Sequence, residues 1–214
     1  MSGGLRTHIA RRASQAGLSI DPVVADKLAA YVELLARWNK TVNLTALELT
    51  PPTDDAIDRL LIEPLVAAFR IDPADRIVID VGSGGGSPAI PMKIAAPRLE
   101  MTLVESRLKK AAFLREAVRH LELTEVDVEN RRLEELAARV DLRGQADIVT
   151  LRAVTPTVDL WGSIERLLRT GGRVFWFGGR PDPACAPAMT ALFGKATTET
   201  ISTPPRSQLS ILQV

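Results

Sequence analysis

The stretch Ile77-Val78-Ile79-Asp80-Val81-Gly82-Ser83-Gly84-Gly85-Gly86-Ser87-Pro88 decides the fold. An apolar, β-branched run ends in glycines and leads into a helix, the pattern of a buried strand that turns into a crossover. In open α/β sheets this turn lies at the carboxyl end of a strand, where ligands bind. Gly82, Gly84 and Gly86 let the backbone bend sharply and approach a ligand without an intervening Cβ.

Downstream, β-rich runs recur at 76–81, 101–104, 126–130, 147–151 and 173–177, separated by helical stretches. Parallel neighbours cannot be joined by a tight turn, so this alternation predicts a mostly parallel, doubly wound α/β sheet. Crossover helices are predicted at Arg107–Leu121, with Ala111, Leu114, Val118 and Leu121 at helical spacing, and at Glu134–Val140 and Val158–Leu168. The tail, Thr197–Val214, offers two more strands around Pro204-Pro205, and Pro181 to Pro187 reads as a loop.

Upstream the spacing is helical. Val24, Leu28, Tyr31, Leu35 and Trp38 recur every three or four positions after Asp21-Pro22, an N-cap followed by a first-turn proline. A shorter helix is predicted at about Leu5 to Ala16, and another near Thr53 to Phe69 after the Pro51-Pro52 loop. The expected organisation is one domain over 1–214, with a helical cap over 1–70 and a Rossmann-like core over 71–214.

Composition narrows the function. The 214 residues are 46% hydrophobic and 25% charged, and Lys+Arg at 27 against Asp+Glu at 26 leaves a net charge of +1. That is an ordinary globular profile with no global field for nucleic acid or membrane. A single cysteine, Cys185, with His8 and His120 as the two histidines, argues against a disulfide framework and a metal centre. Neither a secretory signal nor about 18 consecutive apolar residues occurs, so a cytoplasmic protein without a membrane anchor is expected.

The glycine turn departs from the dinucleotide pattern. Asp80 precedes Gly82-Ser83-Gly84, and Ser87 stands where the third glycine of G-x-G-x-x-G would fall. A carboxylate at that point suits an ammonium-bearing ligand. The next strand ends in Leu103-Val104-Glu105, 25 positions after Asp80, close to the separation at which an acid receives ribose hydroxyls. The two acids describe an adenosine with an amino-acid tail, and S-adenosyl-L-methionine has both parts.

The stretch from Asp80 to Pro91 and the basic helix that follows Glu105, with Lys109-Lys110 and Phe113-Leu114, resemble the bacterial 16S ribosomal RNA guanine-N7 methyltransferases, also called glucose-inhibited division protein B. Leu34 to Lys40 with Asn43-Leu44-Thr45, Arg132 to Glu135, and Thr150 to Val154 resemble further motifs of that family. The resemblance spans roughly residues 28 to 180. It implies a Rossmann-like S-adenosylmethionine-dependent methyltransferase fold with an N-terminal helical extension. It implies that Asp80, Gly82, Ser83 and Gly84 shape the methionine end of the pocket and that Glu105 holds the ribose. Leu133 and Glu134 would border the adenine, and Arg152 would lie beside the cofactor and the target base.

The chain is a divergent member on this reading. Where the family pattern has Arg-His followed by Asp-Ser-Leu, this sequence reads Arg59-Leu60-Leu61-Ile62-Glu63-Pro64-Leu65, and Gly178 stands where a lysine is usual. The expected substrate is 16S ribosomal RNA or the small subunit, met by a monomer. Arg115 and Arg119, on one face of a helix that also carries Arg107, Lys109 and Lys110, are the expected RNA contacts, with Arg6, Arg11 and Arg12 as a second basic group. Trp38, Trp161 and Trp176 sit in apolar settings and read as core. Two other functions stay open from sequence: a methyltransferase of another RNA or a small molecule, and a non-catalytic RNA-binding or assembly protein.

Overall fold

The computed structural model describes residues 2–155, 157–178, 189, 191, 197–201 and 207–213. Cys185, the Pro181 to Pro187 segment and Pro204-Pro205 lie outside them. Helices α1 (Ser2–Gln15), α2 (Pro22–Val42), α3 (Asp54–Ile57) and α4 (Glu63–Ala68) precede the sheet, with a wide π turn at Asp58–Ile62 between α3 and α4. Then follow β1 (Ile77–Val81), α5 (Ala89–Ala95), β2 (Glu100–Val104), α6 (Leu108–His120), β3 (Val126–Glu129), α7 (Leu133–Ala137), β4 (Ala146–Arg152), α8 (Val158–Leu167), β5 (Leu168–Phe177), β6 (Thr197–Ile201) and β7 (Ser207–Gln213).

The sheet has seven strands in the order β3-β2-β1-β4-β5-β7-β6. Strands β1 to β5 run parallel, and β7 is antiparallel to both β5 and β6. Chain order reverses between β1 and β4, so a crevice opens at their carboxyl ends, the topological switch point of such sheets.

Strand alternation assigns the two faces. Val78, Met101, Leu103, Ile148 and Phe175 join α1, α2, α4, α5 and α6 in one core, whereas Ile79, Val81, Val149, Leu151, Val174 and Trp176 join α7 and α8 in the other. Helix α2 begins as the sequence predicts. The Asp21 carboxylate accepts the Val23 N–H at 2.7 Å, Pro22 opens the first turn, and Leu28, Tyr31 and Leu35 are buried. Trp161 and Trp176 are buried edge-on to one another, and Trp38 packs edge-on against Phe113.

Two details differ from expectation. Strand β5 starts at Leu168 rather than Arg173, entering beside Ala146 with a register irregularity. The helix predicted from Thr53 to Phe69 has its N-cap at Thr53 and its C-cap at Phe69, but it widens to a π turn in the middle.

The N-terminal arginines divide between two exposed pairs and one buried pair. Arg6 pairs with Asp26 and Arg11 with Asp54, while Arg12 is buried and grips both oxygens of buried Asp58. Arg12 therefore holds α1 to the π turn and is withdrawn from RNA contact. Removing one partner of a buried pair strands the other charge. Asp58→Ala is expected to cost about 3 kcal/mol or more in urea unfolding at pH 7. The paired change Arg12→Met with Asp58→Leu should cost far less. A loss below about 1 kcal/mol for Asp58→Ala, the range of an exposed pair, would show that the pair does not hold α1 in place.

Candidate active site

The crevice predicted by the strand order is present as a cavity of about 210 Å³. Gly82 from the glycine turn, Val104 and Ser106 from the end of β2, Leu133 and Glu134 from the start of α7, and Leu160 of α8 contribute to its wall. Thus Gly82, Leu133 and Glu134 come together on one wall. Asp80, Ser83, Gly84, Glu105 and Arg152 are not among its lining residues, and Asp80 and Arg152 alternate onto the face of the sheet opposite Val81. A larger groove of about 860 Å³ between α1, α2 and Leu49–Pro52 contains none of the expected site residues.

The glycine turn is built from positive-φ backbone, with φ 67° at Gly82 and 51° at Gly84. A Cβ on Gly84 would lie 3.6 Å from the Gly82 carbonyl and 4.0 Å from Lys110 Nζ, so the space before it is open rather than packed. The turn is tied across β2. Ser83 N–H donates to the Val104 carbonyl at 3.0 Å, and Ser83 Oγ donates to the Asp80 carbonyl at 3.1 Å.

Glu105 completes this tether. Its Oε2 accepts the Gly84 N–H at 3.0 Å and its Oε1 accepts the Arg107 N–H at 2.8 Å. The expected ribose acid thus also fastens the loop and the start of α6. Each carboxylate oxygen carries two acceptor positions, so a ribose hydroxyl can be added to these bonds.

Asp80 is the most unusual group. It is 1% exposed, on the face of β1 that carries Val78, directly across from Thr150 of β4. Thr150 Oγ1 donates to its Oδ1 at 2.5 Å, while Oδ2 has no hydrogen-bond partner among the described residues. Burial pushes the Asp80 carboxyl up to about 6, opposed by the hydrogen bonds from Thr150 and Ser83 and by the charge of Arg152. A buried oxygen without a donor is costly unless a ligand supplies one. An ammonium group is the matching donor, as the cofactor inferred from the sequence requires.

Arg152 ends β4 on the same face as Thr150. Its Nη1 donates to the Arg59 carbonyl at 2.6 Å, its Nη2 lies 2.9 Å from Glu63 Oε2, and the guanidinium stacks 4.7 Å from the Phe177 ring centroid. Burial lowers its pKa, and the neighbouring Glu63 carboxylate pulls it back up.

Glu63 was missed in the sequence, as was the reason its helix accepts Arg152. Glu63 N–H reaches back to the Asp58 carbonyl, and Pro64 has no N–H, so the Arg59 carbonyl lacks a helical donor. Pro64 likewise leaves the Leu60 carbonyl open, and Ser87 Oγ of the glycine turn donates to it at 2.9 Å. The available signal is Pro64, a proline inside an otherwise helical run. Tyr31, fully buried on α2, donates its hydroxyl to the Gly85 carbonyl at 2.6 Å and adds a third tie between the N-terminal helices and the turn.

The expected RNA contacts are exposed on α6. Arg115 donates to the Val128 carbonyl at 3.1 Å, and Arg119 pairs with both oxygens of Glu116. An exposed pair of this kind is weak and can be exchanged for another anion. Among the described residues, no group of three potential ligand side chains is placed to hold a metal ion.

Comparison with known proteins places this geometry. The model of the family described as rRNA small subunit methyltransferase G matches residues 24–185. The ribosomal RNA small subunit methyltransferase G of Neisseria meningitidis is 39% identical over 160 residues, covering 75% of this chain and 72% of the relative. That of Chloroflexus aggregans is 41% identical over 163 residues, covering 76% and 67%. Among solved structures, a SAM dependent methyltransferase from Aquifex aeolicus is similar at TM-score 0.58 and 11% identity, covering 84% of this chain and 98% of that one. P. horikoshii TYW2 in complex with MeSAdo is similar at TM-score 0.53 and 14% identity, covering 72% and 61%. At these identities the structural likeness speaks to the fold.

Asp80 yields a pH prediction with a definite sign. Its folded pKa lies above that of an exposed carboxylate, so its ionisation costs stability above pH 6, and the cost disappears below about pH 4, where the residue is protonated in both states. Asp80→Asn should therefore raise the melting temperature of the free protein at pH 7.5, with little change near pH 4. Binding of a cation requires the ionised carboxylate. S-adenosylmethionine affinity measured by calorimetry should be flat between about pH 6 and 7.5 and fall by up to about tenfold per unit below that range, and Asp80→Asn should remove this fall along with most of the affinity. An affinity independent of pH between 5 and 8 would remove Asp80 from the cofactor site.

Proposed function

The chain belongs to the rRNA small subunit methyltransferase G family, and from that premise we propose that it transfers the methyl group of S-adenosylmethionine to N7 of a guanine in 16S ribosomal RNA. The observation that carries the cofactor assignment is Asp80 Oδ2, a buried acceptor without a donor below an open glycine turn. Asp80 would receive the ammonium, and Gly82, Ser83 and Gly84 would present backbone to the amino-acid end. Glu105 would receive the ribose hydroxyls, and Leu133 and Glu134 would flank the adenine. On this reading residues 1–70 are a cap on the same unit, and the protein acts as a monomer in the cytoplasm. No helix among the described residues is long and apolar enough to cross a membrane.

When bound, S-adenosylmethionine supplies an electrophilic methyl carbon on a sulfonium. Guanine N7 already presents a lone pair and carries no proton to remove, so no general base is needed. The protein's contribution is alignment. Tyr31, Ser87 and Glu105 hold the turn at Gly85, at Ser87 itself and at Gly84, and this fixes where the donor sits. Arg152, anchored at the end of β4, orients the base from the crevice edge. The apolar side chains Val104, Leu133 and Leu160 line the crevice and would limit the water it holds.

RNA contact would come from the exposed face of α6 through Arg115 and Arg119, supported by Arg107, Lys109 and Lys110. With labelled methyl donor and either small subunits or naked 16S RNA, label is expected at guanine N7. Arg115→Glu with Arg119→Glu should lower RNA methylation by about tenfold or more at low salt while cofactor affinity holds, and the native activity should fall steeply as salt rises. Transfer confined to a small molecule, insensitive to salt and to the reversal, would overturn the assignment to ribosomal RNA.

A further inference from the structure

Glu63 lies in a short helix and is 2% exposed, yet its carboxylate is spent on a partner from a distant strand. A buried ion pair contributes little net stability, because two desolvated charges lose about as much as their attraction returns. Stability alone therefore does not account for a carboxylate kept at this place.

The sheet puts a second acid within reach of the same guanidinium. Ile148, Thr150 and Arg152 alternate onto the face that carries Asp80, and Thr150 is the direct cross-strand partner of Asp80. Arg152 is the diagonal neighbour, at a Cα spacing of about 7–8 Å that a long side chain can span. Arg152 is thus paired with one buried carboxylate, Glu63, and lies within charge range of a second, Asp80. Glu63 and the Arg59 carbonyl hold it on one side, over the Phe177 ring, and Asp80 keeps Oδ2 open on the other. Among the described residues, other charged or titratable groups near the two acids include Tyr31 from α2, Arg59 beside Glu63, and Glu105 after β2. Tyr31 is turned to the Gly85 carbonyl, and Glu105 repels a second negative charge rather than quenching it.

We infer that Glu63 is a positioning residue for cofactor capture: by drawing the Arg152 guanidinium toward the N-terminal helical segment, it keeps Asp80 Oδ2 open to the ammonium group of the methyl donor. The inference rests on the reading that the crevice takes S-adenosylmethionine. Without the Glu63 charge, the nearest buried carboxylate for Arg152 is Asp80. An arginine that turns there would hold Asp80 ionised and occupy the acceptor that the ligand needs.

The test follows two readouts, the affinity for S-adenosylmethionine between pH 5 and 8 and the carboxyl titration of Asp80 in the free protein. In Glu63→Gln the Asp80 midpoint should fall by about one pH unit or more, and affinity at pH 7.5 should fall about tenfold, the size of effect an adjacent arginine exerts on an aspartate. Adding Arg152→Met to Glu63→Gln should return the midpoint to about 6 or above and recover most of the lost affinity. A merely structural Glu63 would leave the midpoint in place and make the double variant no better than the single one; either result overturns the inference. If Glu63→Gln does not fold, the double variant, which removes both charges, carries the test. A folded double variant that has lost the cofactor would show Arg152 to be a ligand itself, against the inference. Failure of the native protein to bind S-adenosylmethionine would instead overturn the functional reading, and the Asp80 titration in the free variants would still decide the role of Glu63.

Discussion

The buried carboxylate of Asp80 is the constraint on which the site depends. Holding it ionised at neutral pH costs the free protein on the order of 3 kcal/mol, taking its pKa of about 6 against that of an exposed aspartate. That is a large share of a typical domain's stability. The surrounding structure lowers the cost without removing it. Thr150 donates to one oxygen, Ser83 adds a second favourable contact, and Arg152 contributes charge from two residues along β4. The other oxygen has no partner among the described residues, so under the proposed function the cost would become affinity when a cation arrives.

The N-terminal helices are tied to the glycine turn and to β4 beside Asp80. They are held to the glycine turn by carbonyls that an ordinary helix would not expose. The π turn at Asp58–Ile62 sends the Glu63 N–H one residue further back, and Pro64 offers no N–H at all. The freed carbonyls of Arg59 and Leu60 receive Arg152 and Ser87, one from the sheet and one from the turn. A local defect in the helix thereby becomes the attachment between two layers. Arg12 and Asp58, buried on the opposite side of the same turn, keep α1 in place behind it.

Much of this was legible in the sequence because it is written in local periodicity. The strand runs, the capped start of α2, the glycine turn and the acids Asp80 and Glu105 each carry their signal within a few residues. The two tail strands were legible as well, although β7 lies between β5 and β6, a placement that no local pattern encodes. Contacts made across the fold were not legible. Glu63 and Arg152 are 89 positions apart, and the departures at Leu60 and Pro64 read as losses until the open carbonyls beside them found donors. Glu105 was expected as a ribose acid alone; the bond from Gly84 depends on how the loop crosses β2, which spacing does not determine. Arg12 looked like an exposed cation because its carboxylate partner lies 46 positions away.

If Asp80 is held for a cationic ligand group, its protonation must respond to that group. The direct measurement is the carboxyl titration of Asp80 by nuclear magnetic resonance, in the free protein and with saturating S-adenosylmethionine. The expected midpoint is near 6 in the free protein and drops below the ordinary aspartate range when the cofactor is bound. A midpoint that does not move on binding would mean that the ammonium is received elsewhere, and the buried carboxylate would then be a cost without a use.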